Sequence, residues 1–303
     1  MISLRERNCQ GVIKIGVMEV FSNNNVTPDF KPLPMDIDPA TTSTYNHADD
    51  VMRVIKYYIP NAEIHLVPFT LDGRTYLIEQ NVQLVNVSLE SSRLPISFVE
   101  LSEKSFILAS AGNSGSEGEG LLAQVEKVCA VGAVTANLTP QSYSSYGKGA
   151  IKTCAITGLN IYNPNRILHG TSYAAPVITG LLAQWYVWYH ENFNVYPTIA
   201  QTNEFVIKNS HDIFDDSWDM KTGYGLLRLP KYFEATKSVF KVGSPTAKIV
   251  KYKENETPIE KEITLLAPAK TENGRTIVAA SDITDICVMS RYWNGTEAEY
   301  VKG

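Results

Sequence analysis

Four side chains in this sequence are of the types that acyl transfer needs. In chain order they are a carboxylate, an imidazole, an amide and a hydroxyl: Glu19, His47, Asn113 and Ser172. Ser172 lies in LHGTSYAAP (168–176), where an apolar helix begins. A hydroxyl at a helix start has the partial positive charge of the first-turn N–H groups behind it, which favours a developing oxyanion. Its small neighbours Gly170, Ala174 and Ala175 permit close approach of another chain. A serine in that position also serves as an N-cap, so the hydroxyl alone leaves both roles open. Asn113 follows an apolar run in ILASAGNSGSEGEG (107–120), where a side-chain amide at a strand's C-terminal end can donate to a ligand. The Asn-Ser-Gly triplet by itself equally reads as a turn. Of the five histidines, His65 falls inside an apolar strand pattern and is read as packing, whereas His47 opens a helix. Glu19 ends the apolar run of IKIGVMEVF (13–21). An acid, a base, an amide donor and a nucleophile at one crevice would suffice for acyl transfer.

The elements that must carry these groups follow from the apolar pattern. Short, mostly continuous apolar runs recur at 12–17, 63–69, 82–89, 105–111 and 127–134. Continuous rather than alternating runs suit strands covered on both faces. Between them, HADDVMRVIKYYIPNA places Val51, Val54, Ile55 and Tyr58 on one helical face, stopped near Pro60. Asp49 and Asp50 fall in its first turn, where exposed N–H groups favour negative charge. A second helix, very apolar over 174–188, is expected to be central, with Pro176 tolerated in its first turn or so. Strands alternating with helices predict a layered α/β domain with a mainly parallel sheet. After about residue 230 the chain becomes more polar, with turn signals at Asn273-Gly274 and Asn294-Gly295. The expected organisation is one domain over 1–240 and a small β-rich module over 250–303.

A net charge of -5, with Lys and Arg scattered, argues against a nucleic-acid surface. No apolar run is long enough to span a membrane, and the N-terminus lacks the pattern of a secretory signal. The four cysteines are widely spaced, without metal-ligand spacing, and are read as free thiols. These features lead to the expectation of a cytoplasmic protein without metal or cofactor, whose oligomeric state the sequence leaves open. The early first strand adds the expectation that the chain carries no N-terminal propeptide, so that either another polypeptide assists its folding or it folds unaided.

The sequence resembles the subtilisin-like serine peptidases, the subtilases. GTSYAAP (170–176) is similar to their nucleophile motif, ASAGN (109–113) to their oxyanion segment, and LVNVSLE (84–90) to their substrate-binding strand. YSSYG (143–147), GYG (223–225), HADDV (47–51) and IPNAEIHLV (59–67) are further echoes, covering about residues 12–230. The resemblance implies a three-layer subtilisin-like fold with a mainly parallel central sheet. It also implies a serine endopeptidase with Ser172 as nucleophile, His47 as base, Glu19 as acid and Asn113 in the oxyanion hole. Substrate, a peptide or protein, would lie extended beside Val87, Ser88 and Leu89 and beside Ser110, Ala111 and Gly112. Two departures stand out. Ala48 replaces a glycine after the histidine, and Glu19 stands where the family places Asp. The extra methylene leaves a second reading open, an inactive domain that binds peptides or proteins. Residues 272–303 resemble the small copper-amine-oxidase N-terminal-like repeat modules common in bacterial surface proteins. This segment lacks a copper-ligand set and is read as a packing or protein-contact module.

Overall fold

The computed structural model describes residues 12–19, 47–89, 98–118, 125, 127–147, 151–159, 163, 165, 167–215, 217–265, 268–272, 275–277, 290–293 and 297–302. The chain divides into two compact units, Met1–Val187 with Val206–Arg228, and Trp188–Phe205 with Leu229–Gly303.

The first unit is built on eight strands: β1 (Lys14–Glu19), β2 (Glu63–Pro68), β3 (Leu84–Val87), β4 (Phe106–Ser110), β5 (Val128–Val134), β6 (Ile151–Ile156), β7 (Ser210–His211) and β8 (Leu226–Leu227). Their order is β2-β1-β3-β4-β5-β6-β8-β7. All neighbours are parallel except the edge pair β7 and β8. Every residue of β4 and β5 is buried, as strands covered on both faces must be.

The helices are α1 (His47–Tyr58), α2 (Leu71–Glu79), α3 (Phe98–Lys104), α4 (Thr171–Phe193) and α5 (Ile199–Asn209). Side chains alternate across the sheet, which assigns the helices to its faces. Val85 and Val87 of β3 join a buried cluster with Leu77 of α2 and with Phe98 and Leu101 of α3. Asn86, between them, points the other way and accepts from Thr179 Oγ1 of α4 at 3.2 Å. The layers are thus helices, sheet, helices, the expected α/β fold.

The chain leaves β1 for β2 on one side and then returns to β3 on the other, so the strand order reverses at β1. A crevice opens at such a switch point, at the C-terminal ends of the strands. Glu19 and Ser88 stand at that rim.

Helices α1 and α4 meet closely. A Cβ on Gly180 would lie 2.7 Å from Tyr58 Cβ and 3.2 Å from the Ile55 carbonyl oxygen. Only glycine permits this approach, and Gln184 Nε2 donates to the Tyr58 carbonyl at 2.8 Å beside it. Cys129 and Cys154 are free and buried. Burial pushes the Cys129 thiol up to about 12 and raises that of Cys154 as well.

The second unit holds an antiparallel sheet of order β11-β10-β9-β15-β14, built from β9 (Glu234–Lys241), β10 (Thr246–Lys253), β11 (Ile259–Thr264), β14 (Ser290–Trp293) and β15 (Glu297–Lys302). Strands β12 (Lys270–Glu272) and β13 (Arg275–Ile277) form a separate pair. Phe240, Ala247, Leu265 and Ala269 form one core. Phe233 packs with tilted rings against Trp188 and Phe205 at centroid distances of 5.5 and 6.2 Å. The sheet begins at Glu234, inside the stretch that the sequence reading assigned to the first domain. The two Asn-Gly turns, Cys9, Cys287, residues 119–120 and the end of the substrate strand at 90–91 lie outside the described residues.

Candidate active site

Glu19 closes β1, a strand whose last five residues are all buried. Its backbone is held by pairing with Pro68, and its carbonyl accepts from the Phe69 N–H at 2.9 Å. The side chain is 5 % exposed, and its Oε2 lies 2.6 Å from His47 Nδ1. A carboxylate taken out of water needs a donor, and this one has a short, charge-assisted partner. Because the carboxylate only accepts, Nδ1 carries the proton of this hydrogen bond, and Nε2 is the opposite end of the ring. His47 opens α1, whose buried face of Ala48, Val51, Val54, Ile55 and Tyr58 sets the helix against the core. Asp50, one turn in, is also buried and accepts from Asn163 Nδ2 at 2.9 Å.

The turn before α4 is shaped by Gly170, at φ +124°, a conformation L side chains rarely adopt. Thr171 then binds the Asn113 loop through both its N–H and its hydroxyl. Its N–H donates to Asn113 Oδ1 at 2.8 Å, its Oγ1 lies 3.1 Å from that same oxygen, and the Gly112 N–H donates to Oγ1 at 3.1 Å. With Oδ1 engaged on Thr171, the amide is oriented so that Nδ2 is its outward end, and Asn113 is solvent-exposed. Ser172 is half-buried in the first turn of α4. The next residue, Tyr173, sets its ring 5.4 Å from that of His47, so the helix of the hydroxyl and the helix of the imidazole meet here.

Pro176 lies in the second turn of α4, not in the first, where its missing N–H would matter less. A residue there would donate to the Ser172 carbonyl four positions back. That carbonyl instead accepts from Ser88 Oγ at 2.7 Å. Ser88 Oγ in turn accepts from Asn86 Nδ2 at 2.9 Å. A hydroxyl just past the end of β3 thus replaces the helix bond that proline removes and ties the substrate-strand candidate to the nucleophile candidate.

The other residues read as substrate contacts line the same rim. Val87 pairs with Ala109, and Ser110 Oγ donates to the Leu89 carbonyl at 3.3 Å. Ala111 N–H donates to Val131 at 3.1 Å, and the Gly112 carbonyl accepts from Ser145 N–H at 3.0 Å. The structure therefore brings Glu19 and His47 into contact, Tyr173 onto His47, and Asn113 onto the residue before Ser172. The sequence reading did not single out Thr171 or Tyr173. Their signal is position alone, on either side of the serine.

Comparisons with known proteins bear on the family and the fold. Residues 67–225 match the subtilase family of peptidases. A segment of 127 residues is 30 % identical to subtilisin DY of Bacillus licheniformis, spanning 37 % of this chain and 46 % of that protein. The match thus spans about half the length of that curated relative. Among solved structures, a lanthipeptide protease superposes with a TM-score of 0.57 at 17 % identity, over 71 % of this chain and 85 % of that one. The prenylagaramide maturation protease PagA does so with a TM-score of 0.56 at 19 % identity, over 71 % and 90 %. At such identities the two structures speak for the fold alone. The family match, spanning more than half of the 303 residues and taking in Asn113 and Ser172, places this chain in the subtilase family.

Proposed function

We propose that this subtilase is a serine endopeptidase working through a Ser172–His47–Glu19 triad. Ser172 Oγ attacks the peptide carbonyl while His47 Nε2 takes its proton. The same proton passes to the leaving amine, and water then hydrolyses the acyl-enzyme by the reverse sequence. Glu19 holds the ring in the tautomer with a free Nε2 and stabilises the imidazolium formed on attack. Asn113 Nδ2 and the Ser172 N–H hold the oxyanion, where one donor contributes about 3 kcal/mol. The substrate lies extended beside Val87, Ser88 and Leu89 and beside Ser110, Ala111 and Gly112, pairing through its backbone. Ser88 takes part through its main chain, since its hydroxyl is engaged on Ser172.

The observation that carries this reading is the 2.6 Å contact between His47 and a buried Glu19. It supports Glu19 as the acid despite the extra methylene, because the glutamate lies within hydrogen-bond reach of the ring nitrogen that a triad uses. The test is labelling with a fluorophosphonate probe, followed by casein hydrolysis. Labelling and hydrolysis by the wild type, both lost in Ser172→Ala and strongly reduced in His47→Ala, are expected. A folded wild type that neither labels nor cuts would refute the peptidase and leave the peptide-binding module.

A further inference from the structure

The segment Tyr143–Gly147 is used by none of the steps above, yet it touches both sides of the oxyanion site. Its backbone runs along the Asn113 loop. Gly115 N–H donates to the Tyr143 carbonyl at 2.8 Å, Ser145 N–H to Gly112 at 3.0 Å, and Gly118 N–H to Tyr146 at 2.9 Å. Ser145 Oγ accepts from Ser114 N–H at 3.1 Å. Below, Ser144 Oγ accepts from Ala133 N–H of β5 at 3.0 Å, which anchors the segment to the sheet.

The side chain of Tyr143 leaves this seam for the nucleophile turn. Its hydroxyl accepts from the Gly170 N–H at 3.0 Å and lies 2.7 Å from Thr157 Oγ1. Thr157 is buried at the end of β6, and the next residue, Gly158, donates to the Leu168 carbonyl at 2.8 Å. Gly170 is thus held from the β6 side through Tyr143, and Thr171 from the β4 side through Asn113. The Tyr143 hydroxyl gives the Gly170 N–H a partner while the chain turns at φ +124°.

We infer that the Tyr143–Thr157 hydroxyl pair is a clamp that fixes the distance between the two oxyanion donors, making Tyr143 a positioning residue for catalysis. The donors come from different loops, Nδ2 from the Asn113 loop and the N–H from Ser172. Tyr143 is bonded to both loops, by its carbonyl to one and by its hydroxyl to the other. Donors aimed in advance at the oxyanion cost no reorganisation during the reaction, and that advantage fades as either loop loosens. The catalytic part of this inference rests on the peptidase reading.

The test is Tyr143→Phe, which keeps the ring and removes only the hydroxyl. Loss of one neutral hydrogen bond corresponds to about a tenfold change, so kcat should fall about tenfold with KM nearly unchanged. Affinity for a peptide boronate, which mimics the tetrahedral species, should fall in parallel, while affinity for a product-like peptide acid should not. Thr157→Val should follow Tyr143→Phe, and Thr157→Ser, which keeps the hydroxyl, should recover most of the loss. Hydrogen exchange read separately in a Ser172→Ala background should show the Gly170 amide opening about tenfold faster without the hydroxyl. A Tyr143→Phe protein with unchanged kcat, or with a fall in melting temperature only, overturns the clamp. Unchanged exchange at Gly170 overturns it too, even if the wild type labels no probe and the peptidase reading has failed separately.

Discussion

On the proposed peptidase reading, replacing Glu19 by Asp, the residue the resemblance implies at the acid position, should nevertheless impair catalysis. Shortening the side chain by one carbon–carbon bond withdraws the carboxylate by about 1.5 Å. The 2.6 Å contact with His47 Nδ1 then opens to about 4 Å, beyond hydrogen-bond range. Neither partner is placed to close that gap. Strand β1 is paired along its whole length with β2, and Leu77 sits where a Cβ on Gly16 would be 2.8 Å away. Helix α1 is pressed against α4 at Tyr58 and Gly180. A hydrogen bond to a charged group contributes about 1.5–3 kcal/mol. A displacement of about 1 Å in a catalytic array costs about 100-fold in rate. The two figures agree, and kcat for Glu19→Asp should fall about 100-fold with KM little changed. Glu19→Gln keeps the reach and loses the charge that stabilises the imidazolium, so it should fall at least as far. The assay is steady-state hydrolysis of a fluorogenic peptide, with the rate of fluorophosphonate labelling as a second measure. Glu19→Asp equal to or faster than the wild type, on a folded protein, would refute the reasoning that this scaffold is built around the longer acid.

Ser88→Ala removes the hydroxyl that donates to the Ser172 carbonyl where Pro176 cannot; unfolding in urea should show a loss of about 1–3 kcal/mol, with kcat reduced, and a change within about 0.5 kcal/mol would refute the role. Gly180→Ala inserts a methyl group against Tyr58 and should destabilise by about 1–3 kcal/mol while loosening the contact between the helices of His47 and Ser172; a melting temperature and kcat both unchanged would refute it. His65 is buried in β2, 2.8 Å from Glu63 and 3.2 Å from the Tyr76 hydroxyl, and burial lowers its pKa against the opposing pull of Glu63. The unfolded chain, with an ordinary histidine near 6.5, therefore binds this proton first as pH falls, and stability declines below about 6.5 by at most about 1.4 kcal/mol per pH unit until the folded group protonates. His65→Gln should flatten that decline in urea unfolding at pH 7.5 and 5.5, and an identical decline in both proteins would refute the assignment.

Much of the frame was legible because it is written in local pattern. The apolar runs at 105–111 and 127–134 became β4 and β5, and the face of Val51, Val54, Ile55 and Tyr58 became the buried side of α1. Helix α2 escaped notice for a physical reason. Its buried residues are Gly73, Arg74 and Leu77, so the face it turns inward is hardly apolar. At Gly73 a Cβ would meet the Pro68 carbonyl at 2.2 Å, which makes close approach, not hydrophobicity, the determinant there. Helix α3, with seven residues, is too short to display a period. Pro176 was legible only as an awkward residue. The hydroxyl that accommodates it belongs to Ser88, 84 positions before the Ser172 carbonyl it binds, and no window of sequence connects the two.

The same distinction bears on whether the site is built for chemistry or for binding alone. A module that held peptides by backbone pairing would need the rim from Val87 to Leu89 and from Ser110 to Gly112, and nothing behind it. Here the layer behind the rim is polar and costly. Glu19 is buried, Asn86 is fully buried on Thr179 and Ser88, and Thr171 spends its N–H and hydroxyl on Asn113 and Gly112. Removing a carboxylate from water carries a penalty of several kcal/mol that its partners must offset. Backbone recognition of a peptide gains nothing from that expense. A developing imidazolium and a developing oxyanion do, because charges formed in a dry, pre-oriented surround are stabilised more strongly than in water. The exposure of the pair follows the same logic: Glu19 is 5 % exposed and His47 36 %, so the acid is shielded while the imidazole keeps access to solvent.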